Sequence, residues 1–311
     1  MNSHPHLAKI IDTALALGPV RIAVVYPCSA TSIEAATTAQ KMGLVQAILV
    51  GPRHKIESIA QKNGLELSGM EFIDTADDPD AAARTSVQLC EEARAQVMMK
   101  GSLHTDELLG VVVGKDSGLR TNRRMSHAFV FDLPNYPQPL LMADCVVNIN
   151  PSLMEKRDIT QSAIDLAHAL GIERPYVAVL SAVETINPAI PGTVEAAALS
   201  KMAARGQITG AEVDGPLSFD VAISAAAAKI KGVKLQSTLL PDILVVPNLE
   251  AGNMLYKQMI YLADAECAGV ILGTKVPIVL TSRADSPQCR IASCALAVVN
   301  ANSLRFASQV A

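Results

Sequence analysis

The stretch PIVLTSRADSPQCRIAS, residues 277–293, joins an apolar, β-branched run to a helical pattern rich in alanine and serine. Ile278–Thr281 has the composition of a buried strand, and the pattern predicts a helix from about Ser286 to Phe306. A strand that leads directly into a helix is the building unit of α/β proteins. Here a hydroxyl, a guanidinium and a carboxylate follow the strand at once, which predicts an anion site at its carboxyl end.

The same alternation of strand and helix runs through the rest of the chain. The predicted strands are Arg21–Tyr26, Gln46–Val50, Gln96–Met99, His127–Phe131, Leu140–Ala143, Tyr176–Ser181, Asp242–Val246 and Val270–Leu272. The predicted helices are Ser32–Met42, Ser152–Leu170, Gly192–Arg205, Phe219–Lys229 and Ala251–Asp264. This alternation predicts an α/β fold with a largely parallel sheet.

Composition limits the class of protein further. The 311 residues suggest two domains, and half of them are hydrophobic, which allows a large core. A net charge of −4 gives no basic surface for nucleic acid, and no apolar run is long enough to span a membrane. The six cysteines form no Cys-x-x-Cys pair, so we expect no metal site and reduced thiols, as in the cytoplasm.

Two strand ends carry residues suited to an anion. Lys100, Gly101, Ser102, His104 and Thr105 follow one predicted strand. Glycine lets the backbone approach a ligand closely, and hydroxyls with free N–H groups at a helix start suit a phosphoryl group. An ordinary helix cap beside an exposed lysine is the equally weighted alternative.

The second strand end is PNLEAGNMLYK, residues 247–257, where Asn253 and Lys257 share one face of a helix. A solvated lysine is the simpler explanation of that pair.

The opening stretch adds a guanidinium, because Ser282 and Arg283 follow their strand without a spacer. Arginine matches phosphate oxygens with a planar, bidentate fork. Asp285 could instead hold Arg283 in a structural ion pair. A fourth group of residues contains Lys115, Arg120, Arg123 and Arg124, which predicts either a solvated loop or a contact with a phosphate-rich ligand.

Five of these segments together resemble the phosphate acetyl/butyryltransferase family. They are KGSLHT (100–105), ADCVVN (143–148), VDGPLSFD (213–220), PDILVVPNLEAGNMLYK (241–257) and PIVLTSRADS (277–286), in the family's order. The segments at 115–120 and 281–286 look closer to the butyryl branch than to the acetyl branch.

The resemblance implies a fold like that of isocitrate and isopropylmalate dehydrogenases. In that fold two α/β/α domains flank a cleft and the chain forms a homodimer. The first domain would comprise residues 1–130 plus 272–311, and the second residues 131–271. The carboxyl-terminal helix would return to the first domain.

The resemblance also implies the activity, which is reversible transfer of a short acyl group, acetyl to butyryl, between coenzyme A and inorganic phosphate. Coenzyme A is then a substrate, and no tightly bound cofactor is expected. Ser282 and Arg283 would be catalytic, and Arg120, Arg123 and Arg124 would contact coenzyme A. The residues that would bind phosphate or substrate are Lys100, Gly101, Ser102, His104, Thr105, Asn253, Lys257 and Asp285. The acetyl branch has an aspartate at the position of Cys289, so the identity of a general base is open.

Two alternatives remain at this point. One is a non-catalytic module that senses acyl-coenzyme A, and the other is a metal- and NAD-dependent dehydrogenase of the same fold. The retained Ser282 and Arg283 favour catalysis over sensing, and the second half of the chain lacks a local aspartate cluster for a divalent metal ion.

Overall fold

The computed structural model describes residues 4–280 and 285–310, with side chains described as far as Phe306. The contacts divide the chain into two compact units. The amino-terminal unit consists of Leu7–Asn122 and the chain from Ala268 onward. The central unit consists of Arg123–Cys267 and the residues up to His6. None of the described helices is long and apolar enough to cross a membrane.

Helices and strands alternate as the sequence predicts. In chain order, the described elements are α1 (Pro5–Leu17), β1 (Val20–Val25), α2 (Ala30–Lys41), β2 (Val45–Gly51), α3 (Arg53–Lys62), β3 (Glu71–Asp74), α4 (Pro79–Glu91), β4 (Val97–Lys100), α5 (Thr105–Val112), β5 (Ser126–Asp132), β6 (Leu140–Ala143), α6 (Leu153–Ala169), β7 (Tyr176–Leu180), α7 (Pro191–Ala204), β8 (Glu212–Leu217), α8 (Phe219–Ile223), α9 (Ala225–Lys231), β9 (Ile243–Val245), α10 (Leu249–Leu262), β10 (Glu266–Leu272), β11 (Ile278–Val279) and α11 (Pro287–Val310).

The amino-terminal unit contains strands in the order β3-β2-β1-β4-β11-β10. The strands are parallel except for β10, which pairs antiparallel with β11, while β11 pairs parallel with β4. The central strand β1 (VRIAVV) is buried along nearly its whole length, as expected for a parallel strand covered on both faces. Helix α11 packs against α2, β4 and β11 of this unit.

The central unit contains strands in the order β5-β6-β9-β7-β8. Here β5 and β6 form an antiparallel pair, and the remaining neighbours are parallel. The class predicted from the sequence, α/β with a largely parallel sheet, is therefore confirmed in both units.

Side-chain caps explain where several helices begin. The Oγ atom of Ser29 accepts from Ser32 N–H at the start of α2. Ser152 and Glu155 form a reciprocal capping box at the start of α6. Such a cap stabilises a helix by about 1 kcal/mol.

One predicted element differs from the structure. The sequence predicts a single helix over Phe219–Lys229, but Ser224 adopts an extended backbone and separates α8 from α9. The Oγ atom of Ser224 accepts from Ala227 N–H and so starts the second helix. The alanine-rich segment after Ser224 hides this break, because its helix propensity is high.

Candidate functional site

The strand order of the amino-terminal unit reverses between β1 and β4. From β1 the chain moves outward to β2 and β3 on one side, and β4 opens the other side. In open α/β sheets, the crevice outside the carboxyl ends of the strands at such a reversal is where ligands bind. The predicted anion residues 100–105 follow β4 at this position.

Gly101 allows the loop after β4 to lie directly against the end of β1. Its N–H group donates to Val25 O at 2.9 Å, and the next N–H, that of Ser102, donates to Tyr26 O at 2.8 Å. A Cβ atom at position 101 would lie 2.3 Å from Val25 O and 2.6 Å from Tyr26 O. Only glycine therefore fits here, as the sequence predicts for a loop that needs a close backbone approach.

The other residues of this loop have distinct placements. The Nζ atom of Lys100 turns back over the loop and donates to Leu103 O at 3.0 Å. Ser102 Oγ is buried and has no hydrogen-bond partner among the described residues. His104 precedes α5, which begins at Thr105, and the His104 N–H group donates to Glu107 Oε2 at 2.8 Å. Lys100 thus helps to fix the loop, while the Ser102 hydroxyl keeps its hydrogen-bonding capacity within the described part of the chain.

The segment 277–293 contains the strand next to β4 in the sheet. Strand β11 pairs with β4 through Val279 and Met99 and ends beside it. Residues 281–284 lie outside the described residues, and this includes the predicted catalytic pair Ser282 and Arg283. The structure resumes at Asp285, which is half-buried.

Helix α11 begins two residues further on. Ser286 Oγ accepts from Cys289 N–H at 3.0 Å, and the Cys289 side chain is buried. Cys289, at the position where the acetyl branch has an aspartate, therefore packs inside the first turn of this helix.

The two predicted residues of the central unit lie on α10. Asn248 caps this helix by accepting from Ala251 N–H at 2.9 Å. Gly252 packs so closely that a Cβ atom there would lie 2.9 Å from Asp144 O. Asn253 Nδ2 donates weakly to Cys145 O at 3.4 Å, and Lys257 is exposed.

Asp144 organises the turn beneath that helix. Its carboxylate accepts from the N–H groups of Val146, Val147 and Asn148 and from the side-chain amide of Asn148. Burial raises the pKa of Asp144, while these hydrogen bonds favour its charged form. The ADCVVN motif therefore has a structural explanation, which is a carboxylate that ties one turn together.

The predicted basic residues have different surroundings. Arg120 is exposed. The guanidinium of Arg123 pairs with Asp165. Arg124 donates to Asn148 Oδ1 at 2.6 Å and pairs with Glu155 at 3.1 Å. Arg123 and Arg124 thus have carboxylate partners within the central unit.

A further cluster at the carboxyl end of β1 was not predicted from the sequence. The phenol of Tyr26 donates to Asp77 Oδ1, and Lys55 Nζ donates to both Tyr26 Oη and Asp77 Oδ1 at 2.9 Å. These three residues are 22 to 51 positions apart, so only the fold brings them together. The available signal was a tyrosine directly before Pro27 at a strand end.

Across residues 4–280 and 285–310, no three His, Cys, Asp or Glu side chains are grouped so that they could hold a metal ion.

The strands and helices define an α/β protein, and the loop after β4 lies at the carboxyl end of its sheet where the strand order reverses. The chain belongs to the family described as Phosphate acetyl/butaryl transferase, whose sequence model matches residues 80–298. The family inferred from five sequence segments is therefore confirmed.

Two relatives and one solved structure illustrate the similarity. The chain is 50% identical over 303 residues to a phosphate acetyltransferase of Rhizobium meliloti, covering 97% of this chain and 95% of the relative. It is 42% identical over 283 residues to a phosphate butyryltransferase of Clostridium acetobutylicum, covering 91% and 94%. A crystal structure of a branched-chain phosphotransacylase from Enterococcus faecalis V583 matches with a TM-score of 0.79 and 30% identity, covering 91% of this chain and 99% of that one. The sequence identity to this acetyltransferase is higher than that to this butyryltransferase, so overall identity does not favour the butyryl branch.

Proposed function

We propose that this protein catalyses reversible transfer of a short acyl group between coenzyme A and inorganic phosphate, giving acyl phosphate and free coenzyme A. The observation that carries the proposal is the match to phosphate acetyl- and butyryltransferases over more than nine-tenths of the chain. The loop after β4 supports it independently, because it places at the strand reversal a buried hydroxyl, that of Ser102, with no hydrogen-bond partner among the described residues.

Phosphate binding is assigned to Lys100, Gly101, Ser102, His104 and Thr105. The start of α5 carries the positive end of the helix dipole, which favours an anion. Ser102 Oγ has no partner in the described chain and can donate to a phosphate oxygen. Lys100 adds a positive charge close to the loop, and its Nζ atom donates a hydrogen bond to Leu103 O.

Ser282 and Arg283 are assigned the chemical step by their match to the family motif. When the coenzyme A thiolate attacks an acyl phosphate, a tetrahedral oxyanion forms at the carbonyl carbon and phosphate then leaves. A fixed guanidinium stabilises the charge that develops on the leaving phosphate. Ser282 would steady the reacting carbonyl group.

The thiol does not need a strong base. A thiol with a pKa near about 8.5 is already ionised to a few per cent at neutral pH. Loss of the carboxylate at position 289 would therefore cost about one to two powers of ten in rate, and neighbouring cations recover part of that by favouring thiolate.

The remaining residues are assigned to substrate contacts. Asn253 and Lys257 on α10, with Asp285 before α11, would orient the substrates. Arg120 is the exposed cation available for the phosphates of coenzyme A, and Arg123 and Arg124 would have to exchange their carboxylate partners to contribute.

The larger organisation is proposed from the same resemblance. Two α/β/α domains, residues 1–130 plus 272–311 and residues 131–271, would flank a cleft as in isocitrate and isopropylmalate dehydrogenases. Two copies would form a cytoplasmic homodimer. Closure of such a cleft would protect an acyl phosphate from hydrolysis.

One assay tests the proposed function. Acetyl-, propionyl- and butyryl-coenzyme A are each supplied with and without inorganic phosphate, and free thiol is followed with a thiol reagent. The proposal expects thiol release that requires phosphate with at least one of the three. Binding of acyl-coenzyme A without any phosphate-dependent release would instead identify a sensing module.

A further inference from the structure

The residue between β1 and Pro27 has an unusual conformation. Tyr26 has φ of 51°, in the left-handed region that L side chains rarely adopt. Its N–H group donates to Val50 O at 2.8 Å, so the residue continues the pairing of β1 with β2. Because this conformation is unfavourable for a tyrosine, its surroundings must hold it in place.

The carbonyl group of Tyr26 reaches the predicted phosphate loop. It accepts from Cys28 N–H and from Ser102 N–H, each at 2.8 Å. The first bond closes a tight turn around Pro27. The second, together with the bond from Gly101 N–H to Val25 O, sets the path of the loop after β4. The Tyr26 carbonyl is therefore one of the two backbone acceptors that position Ser102.

The side chain of Tyr26 is held at its far end. The ring is buried, the phenol donates to Asp77, and Lys55 Nζ contacts both the phenol oxygen and the carboxylate. The hydrogen bond from Tyr26, with that from Lys55, lowers the pKa of Asp77, so the carboxylate is charged at neutral pH. Asp77 lies in the loop before α4 and Lys55 lies on α3, so one loop and one helix on the β2–β3 side of the sheet fix the tyrosine.

We propose that Tyr26 is a positioning residue, whose phenol is clamped by Asp77 and Lys55 so that its backbone carbonyl holds Ser102 and the loop 100–105 in the phosphate-binding conformation. The effect expected on KM for phosphate rests on the proposed function. The effect expected on the conformation of the loop 100–105 can be measured whether or not the protein is active.

The first test is hydrogen exchange of the loop. Tyr26→Phe keeps the ring and the Cβ atom and removes only the phenol's hydrogen bonds. Hydrogen–deuterium exchange should become about tenfold faster in peptides covering residues 100–105, as expected for loss of one charge-assisted hydrogen bond. Peptides of β2 should be unchanged. Unchanged exchange in residues 100–105 overturns the proposal, whether or not the enzyme is active.

The second test is kinetic. In Tyr26→Phe, KM for phosphate should rise about tenfold while KM for acyl-coenzyme A stays within about twofold. A variant whose kcat falls equally with every substrate, in proportion to a smaller fraction of folded protein, would indicate a purely structural role for Tyr26. That result would overturn the proposal. If the wild-type protein itself shows no phosphate-dependent release of thiol, the proposed function fails and the exchange result alone decides the positioning role.

Further variants test whether Tyr26 and Asp77 act on the phosphate loop through the same hydrogen bond. Asp77→Asn should raise KM for phosphate in the same direction, and the double variant with Tyr26→Phe should show less than the product of the two single effects. Independent, multiplicative effects would contradict a shared clamp. Arg53→Gln, an exposed change two residues before Lys55, is the matched control and should leave both KM values unchanged.

Discussion

Arg283 is the residue on which the proposed chemistry depends most. Replacing it with alanine should lower kcat by about 10²–10³, the usual effect of removing one preorganised donor to a developing charge. Arg283→Lys should recover only part of the rate, because lysine keeps the charge but loses the bidentate fork. The measurement is phosphate-dependent thiol release, with circular dichroism to verify folding. An alanine variant with unchanged turnover would remove Arg283 from the mechanism.

His127 on β5 should make the stability of the protein depend on pH. Burial lowers the pKa of His127 to about 3, and its Nδ1 atom has no hydrogen-bond partner among the described residues. Between pH 3 and 6.5 the unfolded state therefore binds more protons than the folded state, so stability is lost as the pH falls below 6.5.

From pH 7 to pH 5 this histidine should cost about 2 kcal/mol of unfolding free energy. His127→Phe, which suits the neighbouring Phe129 ring, should remove that part of the pH dependence. Urea unfolding of both proteins at the two pH values measures it, and equal pH slopes would contradict this prediction.

At the residue scale, local sequence identified glycine and hydroxyl positions but not side-chain partners. Gly101 was predictable because a glycine after a strand indicates a close backbone approach, and the structure has one there. Tyr26, Lys55 and Asp77 were not predictable as a cluster, because they come from three separate segments of the chain that only the fold brings together. The carboxylate partners of Arg123 and Arg124 lie on α6, and the local sequence does not indicate these pairs.

At the scale of elements, the junction of β1 with the loop after β4 should tolerate no side chain at position 101. Gly101→Ala should destabilise the protein by about 1–3 kcal/mol or more, because a Cβ atom 2.3 Å from Val25 O forces backbone movement. It should also raise KM for phosphate by displacing Ser102.

Gly110→Ala is the matched control for that variant. Gly110 lies on α5 with no atom within 4 Å of an added Cβ, so alanine should stabilise the helix by about 0.5–1 kcal/mol. Thermal unfolding of both variants is the measurement. If Gly101→Ala were as stable and active as Gly110→Ala, the close approach would not matter.

Element types were predicted better than element ends. The runs at β1 and β2 were recognised because buried β-branched residues cluster between turn residues, and β6 was recognised as a short apolar run. The break between α8 and α9 at Ser224 was not predicted, because helix propensity alone does not distinguish a serine inside a helix from a serine that caps the start of a new one. The strand predicted over Ile278–Thr281 is described only as Ile278–Val279.

At the scale of the whole molecule, the α/β class followed from alternation, whereas the strand order did not. The reversal between β1 and β4 that places the loop 100–105 at the ligand-binding edge is set by which strands pair. Pairing depends on contacts between distant segments, and local periodicity carries no information about them. Family resemblance supplied the activity that the fold alone leaves open.

The proposed reaction requires inorganic phosphate as the acceptor of the acyl group. The most direct measurement incubates the protein with its preferred acyl-coenzyme A and inorganic phosphate, then traps acyl phosphate with hydroxylamine and counts free thiol in the same sample. We predict one acyl phosphate for each thiol released and none of either without phosphate. Thiol release that continues without phosphate, or proceeds with no acyl phosphate formed, would contradict the account.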